Sequence, residues 1–156
     1  MTLSVQLVDG PPDDALTAEL RELGRRVDGA DLSGLLDQLV HRHRVLSCLA
    51  RDDGRLVGYK IGFEERPGYF ESWIGAVDPE HRRRGIARKL MRAQHEWCRE
   101  RGYRIVSTIT TGDNQPMLIA NLGDGFEICG TFWDRRKILK VVLQKQLPPP
   151  EDQATS

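Results

Sequence analysis

Between Val45 and Val77 the chain sets out three apolar, β-branched and aromatic runs, "VLSCLA", "RLVGYKIGFE" and "YFESWIGAV", separated only by "DDG" and "ERPG". Turn sequences this short join strands that lie side by side and antiparallel, so the middle of the fold has to be a three-stranded meander. The rest of the chain must be arranged around it. Ahead lie a strand-like "SVQLV", a turn at "GPPDD" with Asp13 or Asp14 as helix N-cap, and two helical stretches. Leu16, Leu20 and Leu23 recur at helical spacing in the first, and Leu32, Leu35, Leu36 and Leu39 in "ADLSGLLDQLVHRHR", with a break near "DGAD". Behind the meander, Ile86, Leu90, Ala93 and Trp97 predict an amphipathic helix that Gly102 ends. "YRIVSTIT" reads as a strand, "NQPMLIANL" as a short helix from Asn114, and "GFEICGTFW" with "KILKVVLQK" as a closing antiparallel pair. The order predicts an α+β fold, a mixed and mostly antiparallel central sheet with helices on both faces. Residues 1–147 are expected to form one domain, and "LPPPEDQATS" a frayed tail over 148–156.

Charge narrows the function. The formal net charge is zero, so no global field draws the chain to nucleic acid or to a membrane. Its distribution is uneven. Residues 1–37 carry eight acidic side chains against three arginines, whereas residues 78–104 carry nine basic against four acidic. An anionic ligand is therefore expected against the second region. No 18-residue apolar run and no secretory pattern is read, and the three cysteines, Cys48, Cys98 and Cys129, are far apart and odd in number. They predict buried free thiols and a cytoplasmic protein.

The stretch "VDPEHRRRGIARKLM" carries the chemistry. A strand that passes through a short loop into a helix leaves backbone N–H groups unpaired at the helix start, where the helix dipole favours negative charge. Gly85 and the small Ala87 let the backbone approach an anion, and Arg82, Arg83, Arg84, Arg88 and Lys89 surround it with positive charge. Such a site suits a pyrophosphate. Three arginines in a row usually mark a solvated face, but the strand, glycine and helix placement favours phosphate binding.

Here the sequence resembles the GNAT superfamily of acetyl-CoA-dependent N-acetyltransferases. Its signature is Gln or Arg, two variable residues, Gly, one variable residue, then Gly or Ala, after the fourth strand; Arg82, Gly85 and Ala87 in "RRRGIA" fit it. The flanking "WIGAV", Asn114 and the pair Gly125 and Phe126 extend the likeness over roughly residues 45 to 145. The resemblance implies that amides from Arg83 through Arg84, Gly85, Ile86 and Ala87 to Arg88 hold the CoA pyrophosphate. It implies that Gly75, Ala76 and Val77 pair with the pantetheine arm in a gap beside "RIVST", and that Asn114 binds the same arm. Acetyl-CoA is then the co-substrate, no metal takes part, and an amine acceptor, either a small molecule or a peptide or protein amine, attacks the thioester directly. Glu71, eleven residues before Arg82, has the spacing of the general-base glutamate in the histone-modifying branch. The tyrosine usual seven residues after Asn114 is Asn121 here, and an amide cannot give a proton to a thiolate.

The plainer readings stand beside these. Glu71 could point into water. Tyr69, Phe70 and Trp73 are expected to pack rather than to line an acceptor pocket, and the cysteines to fill the core. His41 and His43, two apart on a helix, face away from each other and are read as solvated, as are His81 and His95. A CoA-binding module of weak catalytic power is the alternative to an enzyme, and a nucleic-acid-binding domain built on "HRRRGIARK" is disfavoured by the neutral charge. The acidic N-terminal part, with Asp28, Asp31, Glu64 and Glu65, suggests a cationic acceptor. Dimers are common among the relatives, so a homodimer is an expected assembly.

Overall fold

The computed structural model describes residues 2–28 and 32–150; Asp31 and the last six residues of the tail lie outside them. The elements run in the order β1 (Leu3–Asp9), α1 (Asp14–Asp28), α2 (Ser33–Asp37), β2 (His43–Asp52), β3 (Arg55–Arg66), β4 (Tyr69–Val77), α3 (Ile86–Glu100), β5 (Ile105–Thr111), α4 (Gln115–Gly123), β6 (Glu127–Trp133) and β7 (Leu139–Gln146). Seven strands form one sheet in the order β1-β2-β3-β4-β5-β7-β6, antiparallel throughout except between β4 and β5. This is the expected α+β architecture. None of the described helices is long and apolar enough to cross a membrane.

The local sequence sets the joints. Asp53 and Gly54 both have positive φ, 50° and 87°, as the tight turn between β2 and β3 requires. Pro67 and Gly68, the latter at φ 84°, close β3 onto β4. Asp13 is the N-cap of α1, its carboxylate accepting the Leu16 amide at 2.8 Å. The second helical stretch is shorter than its leucine pattern suggests. α2 spans five residues and passes through a single 3-10 turn, Gln38–His41, held by the buried Leu39, before Arg42 turns extended. His43 therefore opens β2 instead of sharing a helix with His41, and its ring lies 3.3 Å from Glu64.

Alternation splits the sheet into two cores. Leu46, Cys48, Phe70, Val106 and Leu143 meet Ile86 and Leu90 of α3 on one face. Leu49, Ile61 and Phe63 meet Leu16, Leu20 and Leu23 of α1 on the other. Phe70 is the anchor of the first core, fully buried with its ring edge-on to Trp97 at 5.6 Å and Tyr103 at 5.5 Å. Gly62, opposite Ser72, leaves it the room: a Cβ there would collide with the Phe70 ring and the Glu71 carbonyl oxygen. Gly62→Ala is therefore expected to destabilise the protein by about 1–3 kcal/mol, read as a lower urea midpoint at unchanged slope.

Candidate active site

The sheet opens where the site forms. β4 pairs with β5 over only three residues, Tyr69 with Ile105, Phe70 with Val106 and Glu71 with Ser107. Past them β5 pairs on its other side with β7 as far as Thr111, while β4 follows β3. A bulge sharpens the divergence. Ile61 faces Ile74 and Gly62 faces Ser72, so Trp73 is one residue more than β3 can match, and the strand bends there. The last tie is the Thr108 hydroxyl, which donates to the Ser72 carbonyl at 3.0 Å. Beyond it the edge of β4 from Trp73 to Val77 faces a cleft of about 1400 Å³ that runs on to the start of α3.

The loop from β4 to α3 is fixed at its root. Asp78 is buried, accepts the Glu80 amide at 2.9 Å, donates its own amide to the Val57 carbonyl and meets Arg26 of α1 at 3.2 Å. His81 lies 3.0 Å from Asp52 at the end of β2. The root is held by these contacts, and the arginines that follow are exposed. Gly85, the residue before α3, has φ 75° and ψ 13°, and nothing lies within 4 Å of where its Cβ would be. Its left-handed backbone turns the chain into the helix and leaves open space over the first-turn amides, as an anion requires. Ile86 is buried beneath, pinning the helix start to the core.

Glu71 sits at the fork. It is 9% exposed, turned away from α3 by the alternation that sends Phe70 inward, and bonded to Ser107 across the short parallel ladder. Burial pushes its pKa up to about 7, with the Glu65 charge adding to the rise and the Ser107 bond and Arg42 opposing it. A carboxylate of this kind is divided between its two protonation states near neutral pH. It can accept a proton and return it.

On the other side of the sheet lies a polar cluster that the sequence reading did not find. Lys60 of β3 stands opposite Cys48 and Gly75 and lines the cleft. His95 of α3, expected at the surface, is buried against Phe126; Lys145 of β7 lies 3.3 Å from its Nδ1 and bonds Asp124 at 3.0 Å. Burial, with Lys145 and Lys60 nearby, lowers the His95 pKa to about 4 against the pull of Asp124. Gln94, beside it, is fully buried with neither amide atom bonded to a protein group. The legible signal was Lys60 alone, a single cation inside the apolar alternation "VGYKIGF". His95 and Gln94 fall at positions that look polar in any surface helix.

The structure gathers the sequence-derived residues at one place. Gly75, Ala76 and Val77 form one wall of the cleft, while Arg82, Arg83, Gly85, Ile86, Ala87 and Arg88 form its positively charged end. Arg84 is exposed in the same turn. Asn114 also reaches the cleft, with its side-chain oxygen accepting the Met117 amide at 3.3 Å as the cap of α4, a bond that leaves its NH₂ donors unused. Asn121 lines the cleft too, 5% exposed. The aromatics divide: Phe70 packs as expected, Tyr69 lies under Arg66, and Trp73 both stacks edge-on to Phe63 and lines the cleft. Cys48 and Cys98 are core, but Cys129 is exposed on β6, its thiol 3.4 Å from Gln144 of β7.

Comparison with known proteins agrees with this arrangement. The family model of the acetyltransferase (GNAT) family matches residues 14–119. No curated protein sequence matches the chain. Among solved structures, the ribosomal-protein-S18-alanine N-acetyltransferase from Escherichia coli superposes with a TM-score of 0.76 over 95% of this chain and 98% of its own, at 12% identity. A GNAT family acetyltransferase from Elizabethkingia anophelis with acetyl-CoA bound superposes at 0.68, covering 92% and 98%, at 16% identity. Nourseothricin acetyltransferase covers 67% of this chain and 65% of its own, with 27% identity and a TM-score of 0.58. With more than half of its length inside the family model, the chain belongs to the GNAT acetyltransferases, which carry an acetyl group from acetyl-CoA to an amine.

Proposed function

We propose that acetyl-CoA lies along the cleft with its pyrophosphate on the amides of Arg83 to Arg88 and its pantetheine against the edge of β4 at Gly75 to Val77, and that Glu71 deprotonates the acceptor amine. The observation that carries this reading is the fork itself. The strand edge opens one residue beyond a buried carboxyl whose pKa is raised to about 7. Pantetheine has amides that can bond an unpaired strand edge in the manner of a missing strand. The acceptor enters from the opposite face, where Glu71 points. It arrives as an ammonium, loses a proton to Glu71, and its freed lone pair attacks the thioester carbonyl carbon. A β4 amide at the Trp73 bulge is placed to stabilise the oxyanion, since the bulge leaves that stretch without a full partner.

The acceptor is a cationic small molecule in this reading. Glu65 is close enough to act on Glu71 electrostatically, so an amine carrying a second positive charge finds two carboxylates. Nourseothricin acetyltransferase, the neighbour of highest identity among the three compared, is named for the acetylation of nourseothricin, which supports including compounds of that kind among the acceptors tested here. A panel of diamines, aminoglycoside-like amines and peptide N-termini, scored by release of free thiol, tests the class. Turnover confined to neutral or peptide amines would refute it.

Acetyl-CoA should also stabilise the fold. A ligand present at about 100 times its Kd adds about 2.7 kcal/mol, since it binds only the folded chain. For a domain of this size that is a rise of several degrees in Tm, and dephospho-CoA should give less if the arginines reach the 3′-phosphate. No shift at millimolar acetyl-CoA would count against the whole placement.

A further inference from the structure

β3 carries one lysine within its apolar interior run "VGYKIGF". The alternation that gives Tyr59, Ile61 and Phe63 to the α1 core turns Lys60 to the α3 side. There it faces Gly75, and a Cβ built on Gly75 would stand 3.5 Å from the Lys60 Cγ. The stem of Lys60 thus lies along the part of β4 whose edge is open. Its half-buried side chain lines the same cleft as Thr108, Asn121 and Asp124. We propose that Lys60 is the proton donor to the departing CoA thiolate, the task that Asn121 cannot perform. The inference rests on the reading that pantetheine occupies the gap between β4 and β5.

Four groups face Lys60 or the carboxylate beside it. Cys48 comes from β2, and burial pushes its thiol up to about 12, so it is neutral and gives up no proton at working pH. His95 comes from α3 and, with its pKa lowered to about 4, is a neutral ring that carries no proton to donate as an acid. Asp124 follows α4 and supplies the one negative charge, which Lys145 of β7 shares. Burial lowers the Lys60 pKa from its ordinary value, while the charge of Asp124 works against the fall. That direction brings the ammonium nearer to a thiol's ordinary value of about 8.5, which favours transfer between the two. The arginines that line the cleft cannot serve, because a guanidinium does not release its proton.

The step balances without another reactant. The acceptor nitrogen has lost one proton to Glu71, bonds the carbonyl carbon, and gives up its second proton to water as the tetrahedral adduct forms, so that a neutral amide results. When the tetrahedral intermediate collapses, the C–S bond breaks and its electron pair stays on sulfur. The Lys60 ammonium gives that sulfur a proton and becomes an amine. Water at the cleft mouth then reprotonates Lys60 and takes the proton from Glu71.

The experiment follows the thiolate absorbance of bound CoA against pH in the wild-type protein and in Lys60→Met and Lys60→Arg. A cation beside the thiol stabilises the thiolate, so its pKa in the wild-type complex should lie below that in Lys60→Met by about one unit or more. Lys60→Arg should keep the low thiol pKa through its charge. Both variants should lose about tenfold in kcat, less than most general acids contribute, because a thiolate is already a fair leaving group. Equal thiol titrations in wild type and Lys60→Met would overturn the proposal, as would an undiminished kcat in Lys60→Arg. Acetylation of Lys60 by acetyl-CoA, seen by mass spectrometry, would overturn it as well. The underlying reading has its own test: if iodoacetamide alkylates bound CoA as fast as free CoA, the thiol is not in the gap at all. Protection together with equal titrations would remove Lys60 alone.

Discussion

Glu71→Gln is expected to lower kcat by about a hundredfold or more while acetyl-CoA binds as before. Glutamine keeps the shape of the side chain and its bond toward Ser107, and removes only the basicity. The pH profile separates this role from a structural one. The free wild-type enzyme should show an acidic limb in kcat/KM centred near pH 7, where Glu71 loses its proton. The limb should vanish in the variant. Stability should move the other way. The folded pKa of Glu71 lies above its ordinary value of 4.5, so the folded state favours the neutral carboxyl. That contribution is present in full below about pH 4.5 and is lost as pH rises through 7, a change of about 1–3 kcal/mol against the wild-type protein at pH 8. Glutamine carries no such charge, and Glu71→Gln should melt slightly higher than wild type at pH 8. A variant that is slower and more stable cannot have lost activity by unfolding. Near wild-type turnover of the true acceptor would exclude Glu71 as the base.

Much of this was legible in the chain because local rules happen to govern the parts that matter. Gly85 stands where only a left-handed backbone fits, "DDG" and "ERPG" fix the hairpins, and the alternation in β4 buries Phe70 and thereby turns Glu71 to the other face. Strand order was less accessible. That β4 leaves β5 after three pairs depends on a bulge at Trp73, and no residue in "FESWIGAV" marks it, since the mismatch exists only relative to β3. Buried polar groups were harder still. His95 and Gln94 belong to a helix rich in charge, and what packs on His95 is the return of β7 and the end of α4, contacts made by residues far along the chain. The second helix was overread for a related reason: the leucines at 35, 36 and 39 keep helical spacing through a 3-10 turn, and the extended Arg42 ends it to meet the β2 register.

Gly85→Glu is expected to remove acetyl-CoA binding while sparing the fold. Two effects act at this position and they differ in size. The first is conformational: at φ 75° a residue with a Cβ costs about 1–2 kcal/mol, and the neighbouring loop already holds Arg83 at φ 64°. No atom lies within 4 Å of the added Cβ, so there is no collision to unfold the protein. The second effect is electrostatic. A carboxylate at the helix start replaces open space with negative charge where the pyrophosphate must sit, and two unit charges about 4 Å apart at an effective dielectric near 20 repel by about 4 kcal/mol. That corresponds to roughly a thousandfold in Kd, reduced to the extent that Arg82, Arg83 and Arg88 turn toward the new carboxylate. Gly85→Ala isolates the first effect. It should cost about 1–2 kcal/mol of stability and only a modest factor in affinity. Calorimetric titration of acetyl-CoA into the three proteins, repeated at higher salt, reads both effects, because screening should recover part of the Gly85→Glu loss and none of the Gly85→Ala loss. Binding by Gly85→Glu within a few-fold of wild type would mean that the pyrophosphate does not lie over these amides.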